Sequence, residues 1–247
     1  MTEAASLSLS VIIPVYNEEA RLPDALDEVT AYLDAHYPDA ELIIASDGSM
    51  DDTESIAREF AGKSPRVRLL SLPHRGKGHA VKQGMLEATG AVRLFMDVDL
   101  AVPVELIAPL VEATQNADVV IGSRSIEGAE RSGEPLSRRI GGRIVGRATR
   151  LILGLSVSDT QCGFKAFRAE AAELLFDGQR VDGFAFDAEI LYLARRWGMR
   201  VAEMPVTWRY GEMSTVRLHH GPQTLAEIVK IRLRGMPKHI AMLGRRD

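Results

Sequence analysis

Two carboxylates that end a short apolar run are the residues best suited to chemistry in this sequence. Asp97 and Asp99 follow the run at 94–96 (Leu-Phe-Met), with Val98 between them. Such a run is typical of a buried parallel strand, and open α/β sheets bind ligands at the carboxyl ends of their strands. The two side chains point the same way, so their charges repel unless a divalent cation lies between them and the phosphates of a ligand. The pair therefore predicts a site for Mg²⁺ or Mn²⁺ and a nucleotide.

Polar or glycine-rich residues also stand at the ends of the first three predicted strands. They are Pro14, Tyr16, Asn17 and Glu18 at the first, Asp47 and Gly48 at the second, and Lys77 between two glycines at the third. Glu18 and Asp47 could hold a uracil or ribose hydroxyls by charge-assisted hydrogen bonds, and Lys77 could meet a phosphate or the base. Gly48 would let a ligand approach the backbone closely. Each group alone is also what an ordinary turn contains, so their joint placement carries the prediction of a nucleotide pocket.

Alternating strand and helix patterns position these groups. Strands are predicted at 9–15, 41–45, 67–72 and 94–100, separated by helices at 20–36, from Asp51 or Asp52 to about 61, and at about 79–88. Beyond them we expect a helix at 103–116, a strand at 119–121, a loop at 127–135, an arginine-rich amphipathic helix, a turn and strand at 158–167, helices at 169–175 and 187–196, and an extended segment at 201–208. Short connections between alternating elements predict an α/β domain with a mostly parallel central sheet flanked by helices.

Arginines beyond the fifth strand are suited to bind an anion. Arg124 follows that strand, and Arg138, Arg139 and Arg143 lie early in the amphipathic helix. A guanidinium fork matches phosphate oxygens better than an ammonium group does. The four residues predict a site for a phosphate group, although a solvated helix face would explain the same spacing within the helix.

The composition fits one globular domain and excludes several classes of protein. The 247 residues, 46% of them apolar, can bury a sizeable core. Cys162 is the only cysteine, so no internal disulfide can form. The sequence shows no signal-peptide pattern and no spanning run of about 18 apolar residues. A net charge of −4 argues against nucleic-acid binding. We expect a cytoplasmic chain that does not cross a membrane, with homo-oligomerisation left open.

The charge is distributed unevenly along the chain. Residues 217–247 contain seven Lys and Arg and two acidic residues. From residue 224 onward, apolar residues alternate with basic ones. We therefore predict a domain at 1–216 and a basic amphipathic segment at 217–247, which can lie on the anionic inner face of a membrane. A helix that packs on its own domain or on a dimer partner is the other interpretation.

Together these motifs resemble the inverting glycosyltransferases of family 2, which have the GT-A fold. The resemblance runs from residue 11 to about 208 and includes Asp-Gly-Ser at 47–49, Gly-Lys-Gly at 76–78 and Asp-Val-Asp at 97–99. The run Asp-Thr-Gln-Cys-Gly-Phe-Lys at 159–165 and the segment 184–191 are most similar to the subgroup that makes dolichyl- or polyprenyl-phosphate sugars, and within it to the glucosyltransferases. The resemblance implies that a nucleotide sugar, with UDP-glucose the best guess, donates a hexose to a lipid phosphate. GDP-mannose or a soluble acceptor is the alternative.

The resemblance also implies which residues face the acceptor. Asp187 and Glu189 would bind sugar hydroxyls, or act as base towards an alcohol, and would join Asp99 and Arg124 as catalytic residues. Gln161 and Lys165 would contact sugar or acceptor, and Trp208 would wall the sugar pocket. Two structural interpretations stay open, namely that Asp187 caps a helix and that Trp208 packs in the core.

Two positions depart from the family pattern. Ala101 stands where mannosyl-type relatives often carry a metal-contacting Gln, which favours glucose. Residues 211–217 replace the usual Gly-Ser-Lys turn, with Arg217 as a candidate for the missing lysine. The spanning helices of many relatives are also missing. A non-catalytic nucleotide-binding module is disfavoured because the carboxylates are intact, and a nucleotidyltransferase because residues 14–19 form no basic Gly-rich loop.

Overall fold

The computed structural model of the chain describes residues 8–211 and 220–235. Within these ranges the strands are β1 (Leu9–Val15), β2 (Glu41–Ser46), β3 (Val67–Ser71), β4 (Val92–Met96), β5 (Val119–Ser123), β6 (Glu130–Ser132), β7 (Phe164–Arg168), β8 (Val201–Pro205) and β9 (Thr207–Arg209). The α-helices are α1 (Leu22–His36), α2 (Thr53–Lys63), α3 (Lys77–Glu87), α4 (Ile107–Ala113), α5 (Leu136–Leu153), α6 (Ala169–Gly178), α7 (Phe186–Arg196) and α8 (His220–Arg234).

Seven of these strands form one sheet in the order β3-β2-β1-β4-β7-β5-β8, in which β7 runs antiparallel to both of its neighbours and the other pairs are parallel. Helices cover both faces, with α1, α2 and α4 on one side and α3, α6, α7 and α8 on the other. All residues of β1 are buried, as expected for a central parallel strand covered twice. The carboxyl ends of β1, β2 and β4 therefore meet at one edge of the sheet.

The mostly parallel sheet flanked by helices confirms the predicted fold, with local differences. β1 has the predicted bounds, but β4 ends at Met96, short of the predicted residue 100. The reason is a turn, in which the Leu100 amide donates to the Asp97 carbonyl and Leu100 has a φ of 45°. The helix predicted at 103–116 is divided into a 3-10 turn (Val104–Leu106) and the short α4. The loop predicted at 127–135 contains β6, which pairs with β9.

Helix α8 packs on its own domain. Ile228 and Ile231 are buried in the core that α7 also lines, and α5 lies beside the helix. This agrees with one of the interpretations of the basic segment, whereas Arg217, the proposed boundary at 216–217 and residues 236–247 lie outside the described residues. Within the described ranges, no helix has both the length and the apolar character needed to cross a bilayer.

Candidate active site

The ends of β1, β2 and β4 open onto a cavity of about 350 Å³. Its walls bring together most of the residues predicted to bind a nucleotide and metal, namely Pro14, Tyr16, Glu18, Asp47, Lys77, Asp97, Val98 and Asp99. Arg21, His74 and Phe184 complete much of the wall. The predicted residues Asn17 and Gly48 are not among the lining residues. Adjacent parallel strands explain the assembly, because their connecting loops leave the sheet at the same edge.

Asp97 lies at the centre of a network of charges. Lys77 Nζ donates to Asp97 Oδ1 at 2.5 Å. Gly163 packs against the Asp97 carboxylate so closely that no Cβ would fit there. Burial lowers the pKa of Lys77, but the charges of Asp97 and Asp187 outweigh burial and hold it above its ordinary value. Lys77 therefore places a full positive charge on a carboxylate of the predicted metal site.

The Asp97 and Asp99 pair fits a hard divalent cation. Asp99 is exposed at the rim of the cavity, where the Ala101 amide donates to its Oδ1 at 3.1 Å. Loss of hydration in the cleft and the charge of Asp97 raise the pKa of Asp99. Two repelling carboxylates with an ammonium group as counter-ion have the donor chemistry that Mg²⁺ and Mn²⁺ prefer. The described residues contain no group of three or more His, Cys or acidic side chains placed to hold a metal ion, so such an ion would take its other ligands from phosphate and water.

A buried ion pair continues this network into the core. Lys165 is fully buried, and its Nζ donates to Asp187 Oδ1 and to the Cys162 carbonyl, each at 2.5 Å. Burial raises the pKa of Asp187, although Lys165 and Lys77 oppose this. Lys165 and Asp187 are engaged with each other and are not among the residues that line the cavity, so their contacts with sugar or acceptor stay a prediction. Asp187 does not cap α7 either, since the N-cap of that helix is Ala185.

Glu18 reaches the cavity already paired with a cation. Arg21 donates from Nε and Nη2 to the two carboxylate oxygens of Glu18 at 2.7 and 2.6 Å. Burial raises the pKa of Glu18, with Arg21 opposing the shift. The pair spans the start of α1, so the helix fixes one wall of the cavity.

Asp47 organises the loop that leads to Lys77. Its Oδ1 accepts the Arg75 N–H at 2.9 Å and its Oδ2 accepts the Gly76 N–H at 2.8 Å. Gly48 has a φ of 71°, and the backbone of His74 lies where a Cβ of residue 48 would be. The close backbone approach predicted at Gly48 is therefore made by this loop instead of by a ligand.

Asn17 has a structural role in place of the predicted ligand contact. Its φ is 53°, its Oδ1 accepts the Met50 N–H at 2.8 Å, and its own N–H donates to Ser49 Oγ at 3.1 Å. These bonds tie the β1 loop to the β2 loop. Next to it, the rings of Tyr16 and His74 stack with centroids 4.3 Å apart and planes 21° apart. The stack gives the cavity a flat aromatic wall of the kind on which a base can stack.

A second group of charges lies at the end of β5. Arg124 donates from Nε and Nη2 to the two oxygens of Asp159 at 2.7 and 3.0 Å. Burial opposes ionisation of both partners, but the pairing prevails and holds the pKa of Asp159 well below its usual range. The guanidinium carbons of Arg124 and Arg131 lie 5.4 and 5.5 Å from the ring of Trp208. Trp208 also lines a small pocket beside Asp97 and packs against the core, so its role as a wall of the sugar pocket stays a prediction.

The other predicted phosphate ligands lie on α5. The Arg138 guanidinium lies 5.2 Å from the ring centroid of Tyr210, whose ring is 6.0 Å from that of Trp208. Arg139 and Arg143 are exposed farther along the helix. We call Arg124, Arg131, Arg138, Trp208 and Tyr210 the aromatic–arginine group; it includes two of the four arginines predicted to bind phosphate.

Glu189 and Gln161 belong to neither the cavity wall nor this group. Glu189 Oε2 accepts the N–H groups of Arg180 and Val181 at 2.9 and 2.8 Å, and burial raises its pKa. Its carboxylate anchors the loop before α7, and the role of Glu189 as a sugar ligand or base stays a prediction. Gln161 is half-buried, and its backbone N–H donates to Asp159 Oδ1 at 3.1 Å.

Several residues of the site escaped prediction from the sequence. They are Arg21, His74 and Phe184 in the cavity wall, and Arg131, Asp159 and Tyr210 around Trp208. Arg21 carried a local signal, since it stands three residues after Glu18 at the start of a helix. Asp159 and Phe184 begin the two motifs at 159–165 and 184–191, although the motifs do not reveal their partners. The remaining contacts join residues far apart in the chain, which a reading of local pattern does not reveal.

Several known proteins are similar to this chain in sequence or in fold. The model of the family "Glycosyl transferase family 2" matches residues 10–176. Dolichyl-phosphate beta-glucosyltransferase ALG5A of Trichomonas vaginalis is 34% identical over 244 residues, covering 93% of this chain and 74% of that relative. Dolichyl-phosphate beta-glucosyltransferase of Drosophila melanogaster is 38% identical over 231 residues, covering 84% and 69%. Glucosyl-3-phosphoglycerate synthase of Mycobacterium tuberculosis, solved with Mn²⁺, UDP and glucosyl-3-phosphoglycerate, superposes with a TM-score of 0.67 at 22% identity over 95% of this chain and 82% of that chain.

Proposed function

The chain belongs to glycosyl transferase family 2 and has the GT-A fold, and on this basis we propose that it transfers glucose from UDP-glucose to a dolichyl- or polyprenyl-type phosphate. The observation that carries the proposal is the small pocket lined by Asp97, Asp99 and Trp208. It shares Asp97 and Asp99 with the cavity, whose carboxylates suit a metal-bound diphosphate, and Trp208 with the aromatic–arginine group, which suits an anionic acceptor. The names of the curated relatives support the same donor sugar and acceptor.

The cavity residues account for donor binding. Asp97 and Asp99 would hold Mn²⁺ or Mg²⁺, which when bound neutralises charge on the leaving diphosphate. Lys77, which donates to Asp97, adds a positive charge at the same edge and would help to neutralise charge that develops on the leaving diphosphate. The Tyr16 and His74 stack offers a surface for the base, and the paired Glu18 offers its remaining acceptor sites to ribose hydroxyls.

The acceptor phosphate requires no general base. The second pKa of a phosphate monoester is about 6, so its oxygen is already anionic near neutral pH. That oxygen forms a bond to the anomeric carbon while the bond from this carbon to the UDP oxygen breaks, which inverts the configuration and releases UDP. Arg124 and Arg131 would neutralise and orient the attacking phosphate. Asp187 and Glu189, whose carboxylates accept bonds from Lys165 and from the loop before α7, are not needed as a base in this step.

A lipid acceptor also requires contact with a membrane. We propose that the protein acts as a peripheral enzyme at the cytoplasmic face, where nucleotide sugars are available to it. The acceptor is the part of the proposal that most needs a direct test.

The test is a transfer assay with the purified full chain, Mn²⁺ and labelled UDP-glucose. We expect a glucosylated product with a short-chain prenyl phosphate, and little or none with GDP-mannose as donor. Equal rates with a soluble alcohol or phosphorylated sugar acid as acceptor would overturn the lipid part. Absence of both transfer and metal-dependent UDP binding would overturn the proposal as a whole.

A further inference from the structure

Two neighbouring helices present a surface that is both apolar and basic. Apolar side chains that would normally pack inward are exposed on it, namely Leu136, Ile140, Ile144 and Leu151 of α5 and Val229 and Leu233 of α8. The exposed fraction reaches 84% at Leu151 and 79% at Leu233. We call this surface the α5–α8 face.

The spacing of the exposed apolar residues of α5 places them next to one another. Leu136, Ile140 and Ile144 are four residues apart, so they lie on one side of α5. Arg139 and Arg143 each precede an isoleucine and lie on the adjoining side of the helix, where both are exposed. Several large apolar side chains exposed side by side on a protein surface usually mark an interaction site.

The two helices that form this face are strongly basic. α5 contains five arginines and no acidic residue, and α8 contains three basic residues and one glutamate. The chain as a whole carries −4, so these two helices differ sharply from the rest of the molecule. Two copies of such a face would repel each other, whereas anionic lipid headgroups would attract it.

We propose that the α5–α8 face docks on the surface of an anionic phospholipid membrane. Its apolar stripe enters the boundary between headgroups and acyl chains, and its arginines remain at the level of the phosphates. The inference rests on the proposed function in one respect, that the acceptor is a membrane lipid.

The position of α5 connects this surface to the acceptor site. The helix begins at Leu136, and Arg138 in its first turn stacks on Tyr210 of the aromatic–arginine group. A lipid phosphate at headgroup depth would therefore reach Arg138 first and Arg124 next. Docking through this face would present the lipid phosphate to the site without extracting the prenyl chain from the bilayer.

Vesicle co-sedimentation of the full chain tests the proposal. We expect stronger binding to vesicles of phosphatidylcholine with phosphatidylglycerol than to phosphatidylcholine alone. The double variant that carries both Ile140→Ser and Ile144→Ser should bind vesicles at least about tenfold more weakly, since apolar groups leave the interface. The double variant that carries both Arg143→Gln and Arg147→Gln should bind the anionic vesicles about tenfold more weakly at low salt. The matched controls are Met50→Ser and Arg58→Gln, exposed residues outside both helices, which should bind as the wild type does.

The outcomes separate this inference from the proposed function. Equal vesicle binding by the wild type and the double-serine variant would overturn the inference. Loss of a dimer in sedimentation velocity, with vesicle binding unchanged, would also overturn it and assign the face to a second copy. The double-serine variant should keep its melting temperature and its activity on a water-soluble short-chain prenyl phosphate, and lose activity on a long-chain acceptor in vesicles. If the wild type glucosylates neither acceptor, the proposed function fails while vesicle binding still decides the role of the face.

Discussion

The cavity at the ends of β1, β2 and β4 and the aromatic–arginine group at the end of β5 hold charge in opposite ways. In the cavity the cations Lys77 and Arg21 are paired with Asp97 and Glu18, and Asp99 is a further carboxylate with a raised pKa. Around Trp208 the guanidinium groups of Arg124 and Arg131 lie over an aromatic ring. Asp159 and Glu134 pair with them, and Arg138 is a further cation.

The difference shows which ligand each region needs. A cavity with an additional carboxylate is completed by a cation, which can bring a diphosphate with it. Around Trp208 three guanidinium groups face two carboxylates, Asp159 and Glu134, and the aromatic rings stabilise the cations without neutralising them, so positive charge exceeds negative charge within this group. That region is completed by an anion. A metal-bound donor on one side and an anionic acceptor on the other is therefore the combination that satisfies both.

Removing the carboxylate of Asp99 should have the largest effect, which is on the rate of glucose transfer. Asp99→Asn takes away one of two ligands of the divalent ion, so we expect kcat/KM for UDP-glucose to fall by about 10³-fold or more. Steady-state transfer assays and calorimetric titration of UDP with Mn²⁺ measure the loss. Asp39→Asn changes an exposed aspartate in the α1–β2 loop and should leave both unchanged. Mn²⁺-dependent binding of UDP at wild-type strength in Asp99→Asn would break the assignment of the cavity as the donor side.

The next largest effect should be a loss of stability when the Lys165–Asp187 ion pair beneath the cavity is broken. Asp187→Ala leaves the ammonium of Lys165 without its carboxylate in a fully buried position, so the free energy of unfolding should fall by roughly 3–5 kcal/mol. Urea titration measures the change. Lys165→Met combined with Asp187→Leu removes both charges and should recover most of the loss.

The exposed Asp177→Ala is the matched control and should change stability by less than about 0.5 kcal/mol. A stable Asp187→Ala protein would contradict the view that the charges below the cavity form one interdependent network.

A smaller effect, confined to the acceptor, should follow from Arg124→Lys. The ammonium keeps the charge but loses the two-pronged bond to Asp159 and the stacking on Trp208. We expect KM for the prenyl phosphate to rise about tenfold, since one charge-assisted contact is weakened, with KM for UDP-glucose unchanged. Arg168→Lys, an exposed position at the end of β7, controls for the substitution itself. A rise in KM for UDP-glucose instead would show that Arg124 serves the donor.

The two regions also differ in how far the sequence predicted them. Asp97 and Asp99 were predictable because the signal is local, an apolar strand that ends in polar residues, and the parallel sheet places all such ends together. Lys77 was predictable for the same reason. The insertion of β7 between β4 and β5 was not, because it depends on antiparallel pairing of segments far apart, with Leu94 opposite Ala166.

The partners of the buried side chains depended on packing. Asp187 and Glu189 stand out in an apolar segment as carboxylates that need partners, but the sequence does not say that the partners are Lys165 and the backbone of the preceding loop. Arg131 escaped notice because its importance comes from Trp208, which the pairing of β6 with β9 brings beside it.

The smallest effect concerns Cys162, which lies between the two regions in the small pocket beside Asp97 and Trp208. Its side chain is 1% exposed, and burial raises the pKa of its thiol to about 12. Because the thiolate is the nucleophile, iodoacetamide at pH 8 should modify the native protein at least about 100-fold more slowly than the protein in urea, where the pKa is about 8.5. From pH 7 to pH 9 the slow native rate should keep rising in proportion to hydroxide, whereas the rate in urea should level off. Mass spectrometry of the modified chain follows both rates. Rapid native labelling would mean that the wall between donor and acceptor regions opens to solvent, and the contrast between two separately built sites would then no longer hold.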